Sequence, residues 1–333
     1  MVPFSEPPVP GGSVDLMRFA RFAWVLVFAL AVIAFGCAKK KTDLIEAAWV
    51  GDLAKVNSLL AHHADPNVSD RTGMTPLLAA ALSNAGKGNV EIARALLAHK
   101  ADPNAGTASG TTPLLEVAES GNVEFVKALL DAGANPSPKI TGGYTPLMGA
   151  AANGRTEVVA LLLGKGADPN ATDDFGKSAL IEAIDAGDTP AVELLLAKGA
   201  IADTVTTAGD SPLKLAVQKE HTGIAALLLM QGANPDRRDA DGATPLMWAA
   251  SLGDTAIVSL LLEHGADVTV TDNSGSTAYI WAAKEGHKAI AAEIRAAMPK
   301  EPPASHKKAA RADTTPVAPH KTPAAEPKKT GGR

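Results

Sequence analysis

One stretch decides how this chain folds: Thr145-Pro146-Leu147-Met148-Gly149-Ala150-Ala151-Ala152-Asn153-Gly154, then Arg155-Thr156-Glu157-Val158-Val159-Ala160-Leu161-Leu162-Leu163, then Gly164-Lys165-Gly166-Ala167-Asp168-Pro169-Asn170. Its opening triplet recurs at a 33-residue step, at Thr112-Pro113-Leu114, Ser178-Ala179-Leu180, Ser211-Pro212-Leu213, Thr244-Pro245-Leu246 and Thr277-Ala278-Tyr279. An earlier copy, Thr75-Pro76-Leu77, stands 37 residues before Thr112, and a degenerate one begins at Thr42-Asp43-Leu44. A fixed period of this size marks a solenoid, in which each unit completes its core against its neighbours.

Each unit reads as two short helices. Thr145 can cap a helix start with its hydroxyl, and Pro146 fits the first helical position, where its missing N–H is not needed. Leu147, Ala150 and Ala151 form an apolar face small enough for close stacking, and Gly154 ends the helix in a left-handed conformation. Val158, Leu161 and Leu162 point the second helix inward, Gly166 ends it, and Asp168-Pro169-Asn170 starts a turn.

These residues resemble the ankyrin repeat, whose motif runs Thr-Pro-Leu-His-x-Ala-Ala, Gly, a Leu-Leu helix and Gly-Ala-Asp-x-Asn. The resemblance implies an all-α solenoid of about eight helix–turn–helix units with projecting hairpin-like loops. The units are placed at residues 42–74, 75–111, 112–144, 145–177, 178–210, 211–243, 244–276 and 277–298. The chain departs from the motif in ways that carry expectations. The histidine is replaced by Leu78, Leu115, Met148, Ile181, Lys214, Met247 and Ile280, so apolar packing must take over most of its role. His63, Lys100 and Glu220 stand where glycine ends a helix. Four extra residues around Ser83 and Gly88 predict a bulged turn in the second unit.

Charge is unevenly spread. Residues 1–41 hold five basic and two acidic residues, and residues 299–333 hold eight basic and three acidic, so a net −5 overall leaves residues 42–298 with −13. An acidic body argues against a nucleic-acid partner, which needs lysine and arginine to neutralise phosphates. Cys37 is the sole cysteine, which excludes an intrachain disulfide. It ends a run of apolar residues, 22–36, preceded by Arg18 and Arg21. A charged start, an apolar stretch and a small residue before a cleavage point form a signal peptide. The segment is similar to a bacterial lipoprotein signal, cut before a cysteine that becomes lipidated, although Phe35 is bulkier than that family's common choice.

The resemblance implies residues 1–36 as signal (with Met17 an alternative start), a lipidated Cys37 and a short tether to residue 41. It places the protein on the periplasmic side of the envelope, held to the membrane by the lipid on Cys37. An uncleaved single-span anchor and an ordinary cleaved signal are the other readings. The apolar run is short for a span, and Lys39, Lys40 and Lys41 oppose transfer across the membrane. From residue 299 the chain is rich in Pro, Ala and Lys with few large apolar residues, which predicts a disordered basic tail. Such a tail is a spacer or a contact for an anionic polymer.

In the resembled family, partners dock on the concave face of the stack. The positions mapped there are Glu46, Ala79, Glu116, Gly149, Glu182, Leu215, Trp248 and Trp281, with Trp49, Glu119 and Asp185 beside them. Loop tips carry Met74, Tyr144 and Phe175. Trp248 and Trp281 should stack on adjacent repeats, either as a binding patch or as core. The acidic positions suggest a basic or mixed partner surface. No phosphate loop, catalytic triad, metal-spaced histidine cluster or cofactor motif is readable, so a non-catalytic binding scaffold is expected. A tether between membrane and cell wall, and an accessory factor for a periplasmic enzyme, are the alternatives.

Overall fold

The computed structural model describes residues 43–83 and 88–299. The segment expected to be a signal, with Cys37, residues 84–87 of the expected bulge and nearly all of the basic tail lie outside the described residues. Among the described residues the chain forms sixteen helices in eight pairs. They are α1 (Asp43–Val50) with α2 (Leu53–Ala61), α3 (Pro76–Leu82) with α4 (Gly88–Ala98), α5 (Pro113–Ser120) with α6 (Val123–Asp131), and α7 (Pro146–Ala152) with α8 (Thr156–Gly164). The second half continues with α9 (Ala179–Ala186) and α10 (Thr189–Ala197), α11 (Pro212–Gln218) and α12 (Thr222–Met230), α13 (Pro245–Leu252) and α14 (Thr255–Glu263), and α15 (Ala278–Lys284) and α16 (Lys288–Ala297). Odd helices pack on odd and even on even, giving two layers with the core between them. These helices belong to one compact unit that ends at Ala297. No helix among the described residues is long and apolar enough to cross a membrane.

Local chemistry explains each element. The hydroxyls of Thr75, Thr145 and Ser211 accept from the amides of Leu78, Met148 and Lys214 at 3.2–3.3 Å, with proline in the following turn. Asp52, Asn122, Asp188 and Asp254 cap second helices in the same way. Each such cap stabilises by about 1 kcal/mol. Thr277 departs from the pattern and makes no side-chain cap bond at the last repeat. The core runs as a stripe of small residues in the odd layer (Ala47, Ala80, Ala118, Ala151, Ala250) and branched ones in the even layer (Val56, Leu96, Leu129, Leu162, Leu228). The residues in the histidine position do pack as apolar core: Leu78, Leu115, Met148, Ile181 and Met247 are all buried. Ile280 is only half-buried, and Lys214, also half-buried, is the one charged residue in the series.

The three non-glycine helix ends are left-handed, at φ 62° for His63, 67° for Lys100 and 57° for Glu220. Loops are closed by a recurring backbone bond, from Asp70 N to Met74 O, Asp173 N to Lys177 O, Asp239 N to Ala243 O and Asp272 N to Ser276 O, at 2.9–3.1 Å. Successive loops are joined by backbone bonds such as Asp174 N to Gly142 O and Thr207 N to Phe175 O, both 2.9 Å. At Gly143 any side chain would be strained, because φ is 78° and a Cβ would lie 3.0 Å from Asp173 Cα of the next loop. The turn asparagines also link repeats: Asn170 Nδ2 donates to Gly199 O and its Oδ1 accepts from Ile201 N, each at 2.9 Å.

Candidate functional site

The ladder of positions expected to face a partner is not uniformly open. Glu46 is exposed, while Glu116, Leu215, Trp248 and Trp281 are half-buried. Ala79, Gly149 and Glu182 are buried. Glu119 lies across Gly149, so close that a Cβ there would meet its Cγ at 2.6 Å. Two expected contact residues therefore need correcting. Met74 is not an exposed loop tip but is 8% exposed, turned under the clasp that Asp70 makes with the Met74 amide at 3.0 Å. Glu182 is 3% exposed and faces Lys177 at 3.6 Å. Phe175 is open at its loop tip, and Tyr144 and Trp49 are half-buried.

The acidic stretch is also less bare than its sequence implies. Lys177 comes from the loop before α9 and reaches Asp185 at 3.2 Å as well as Glu182, and Lys219 approaches Asp185 at 3.9 Å. Burial raises the Glu182 carboxyl above its ordinary value, against the opposing pull of Lys177. Burial would lower Lys177, but Glu182 and Asp185 outweigh it and hold the ammonium above its usual value. The network is thus internally neutralised, and its residues are committed to one another.

The C-terminal half of the ladder is differently built. Trp248 on α13 and Trp281 on α15 meet edge to face, with ring centroids 5.5 Å apart and planes at 73°. Such a pair contributes about 0.5–1.5 kcal/mol beyond area burial. The Trp248 Nε1–H donates to Asp239 Oδ2 at 2.9 Å, and the Trp281 Nε1–H to Asp272 Oδ2 at 2.8 Å. The other oxygen of each carboxylate holds its loop. Asp239 Oδ1 accepts from the amides of Asp241 and Ala243. Asp272 Oδ1 accepts from the Ser274 amide and hydroxyl and from the Ser276 amide. Each aspartate therefore ties a loop to an indole on the following helix, nine residues on.

Lys214 completes the first of these units. Its Nζ lies over the Trp248 ring, 5.2 Å from the centroid, and 3.2 Å from Asp239. It also pairs with Asp210 at 2.5 Å. Burial would lower Lys214, but Asp210 and Asp239 hold it above its ordinary value. Burial would raise Asp239, but the Trp248 indole, the Ala243 amide and Lys214 bring it below the usual carboxylate range. Asp272 is held far below that range, first by the Ser274 hydroxyl and then by the Ser276 amide. The tryptophans were legible in the sequence. Their carboxylate partners were not, although the shared Asp-to-Trp spacing of nine residues was available as a signal.

No group of three or more histidine, cysteine, aspartate or glutamate residues among those described could hold a metal ion. The sequence model of a family described as "Ankyrin repeats (3 copies)" matches residues 44–140, 84–173, 147–239 and 213–297. No curated protein matches the chain.

Proposed function

The chain belongs to the ankyrin-repeat family, and from that premise we propose that it is a non-catalytic scaffold whose ladder face binds a partner protein. Docking centres on Trp248 and Trp281, with Tyr144, Phe175, Glu116 and Trp49 contributing along the same face. The observation that carries this reading is the aromatic pair itself. Both rings are only half-buried, and both are held by buttressed carboxylates rather than left to rotate. Rigid, partly open tryptophan loses little entropy when covered, which is why it recurs at binding hot spots. The experiment is cross-linked co-purification of wild type beside Trp248→Ala/Trp281→Ala. A partner retained at full yield by a correctly folded double variant sinks the reading.

We also propose that the scaffold is lipid-anchored at Cys37 in the bacterial cell envelope, on the periplasmic side. The support is the sole cysteine placed at the end of an apolar run behind two arginines. Cys37→Ser should abolish lipid labelling and processing, so that the uncut precursor with its apolar run 22–36 accumulates. Unchanged processing in that variant excludes the lipid anchor.

A further inference from the structure

The repeats supply their own template for what the Trp281 end accepts. In the sixth-to-seventh step, a cation, a carboxylate and a ring form one unit: Lys214, Asp239 and Trp248. One period later the register places Met247, Asp272 and Trp281. The carboxylate and the ring are kept, and their mutual bond is nearly the same length, 2.8 Å against 2.9 Å. The cation is not kept. Met247 is buried, and its sulfur accepts from the Thr244 amide at 3.4 Å. The second acid is lost as well, because the register partner of Asp210 is the buried Ala243. Among the described residues Asp272 makes no ion pair; its four bonds all come from neutral donors, Ser274, Ser276 and the Trp281 indole.

We propose that the Asp272–Trp281 pair takes the cationic side chain of a partner protein, an arginine or a lysine, in the role that Lys214 plays toward Asp239 and Trp248. This rests on the scaffold reading and names the chemistry of its contact. Three features favour that occupant. An ammonium or guanidinium is attracted to an indole face and to a carboxylate at once, as Lys214 demonstrates within this chain. The four neutral donors keep Asp272 ionised. The repeat body carries −13, which attracts a basic partner segment and repels an acidic one.

The test uses the full-length chain labelled with nitrogen-15, and follows the indole N–H signals, assigned with Trp248→Phe and Trp281→Phe. The probes are acetylated, amidated Gly-Arg-Gly and its Gly-Glu-Gly counterpart. The arginine peptide should shift the Trp281 signal saturably, and the glutamate peptide should not. Asp272→Asn should weaken that response about tenfold, the loss of one charge-assisted contact. Lys214→Met copies the seventh repeat into the sixth and should make the Trp248 signal respond to the arginine peptide. Equal responses to both peptides, an Asp272→Asn variant that binds as well as wild type, or a silent Trp248 in Lys214→Met each overturn the assignment. None of these outcomes touches the scaffold reading, which stands or falls on tryptophan-dependent co-purification.

Discussion

Replacing His63, Lys100 and Glu220 with glycine should stabilise this protein, although the three changes remove side chains and add nothing. All three residues are exposed, and all three are held at positive φ. A side chain in that conformation costs about 1–2 kcal/mol through the clash of Cβ with the following carbonyl. Glycine escapes the clash but returns about 0.5–1 kcal/mol through its greater freedom when unfolded. The net gain is about 0.5–1 kcal/mol per site. Position 220 should gain most: its carboxylate sits at a helix C-terminus, where negative charge is unfavourable. By register it also neighbours Asp254, as Gly154 neighbours Asp188 at 3.8 Å from a notional Cβ. The equivalent glycines show that the sites themselves tolerate the change, since Gly133, Gly166, Gly199, Gly232 and Gly265 occupy the same turn as His63 and Lys100. His63 and Lys100 share one turn position on adjacent repeats while Glu220 lies four repeats further on, so the effect at 220 should add independently and the total should reach about 2 kcal/mol. Urea unfolding followed by circular dichroism, with hydrogen exchange to localise the gain, gives the measurement. If each glycine lowers the urea midpoint, the backbone-strain argument is wrong.

Phe125 is among the largest fully buried side chains, and Phe125→Ala should destabilise by about 3–5 kcal/mol, with exchange accelerating in α6 before α14 because neighbours share stability locally. Asn170→Ala removes two bonds between repeats and leaves the Gly199 carbonyl and Ile201 amide without them; a loss of about 1–2 kcal/mol in urea titration is expected. Glu182 has a raised carboxyl, so its folded state holds a proton more tightly than the unfolded chain, and stability falls as pH rises through that window. Glu182→Gln should therefore match or exceed wild type at neutral pH, with the difference vanishing below the ordinary glutamate value; a variant less stable at pH 7 than wild type contradicts the sign. Asp239 and Asp272 have lowered carboxyls, so their contribution is present above the ordinary aspartate value and is lost as pH falls through their folded values. In acid titrations the indole signals of Trp248 and Trp281 should report that loss, and signals unmoved down to acid unfolding would count against it.

The fold was legible because its determinants are local. Thr145 with Pro146 starts a helix whatever surrounds it, and the left-handed turn at Gly166 predicts the same turn at Lys100, two periods earlier. The docking face was only half legible, because exposure at a ladder position is set by its neighbours one period away and by the loops. Gly149 is closed by Glu119 from the preceding repeat, and Glu182 is covered and matched by Lys177 from a loop. Met74 reads as a loop tip by position, yet the Asp70 clasp turns it inward. The sequence by itself determined the period, the helix ends and the pairing of Trp248 with Trp281, since each follows from spacing along one chain. Only the tertiary structure decided which charges neutralise one another and which carboxylate, Asp272, meets an indole without a cation. Those outcomes depend on distances of a few ångströms between side chains of successive repeats, where Coulomb attraction and desolvation are both steep.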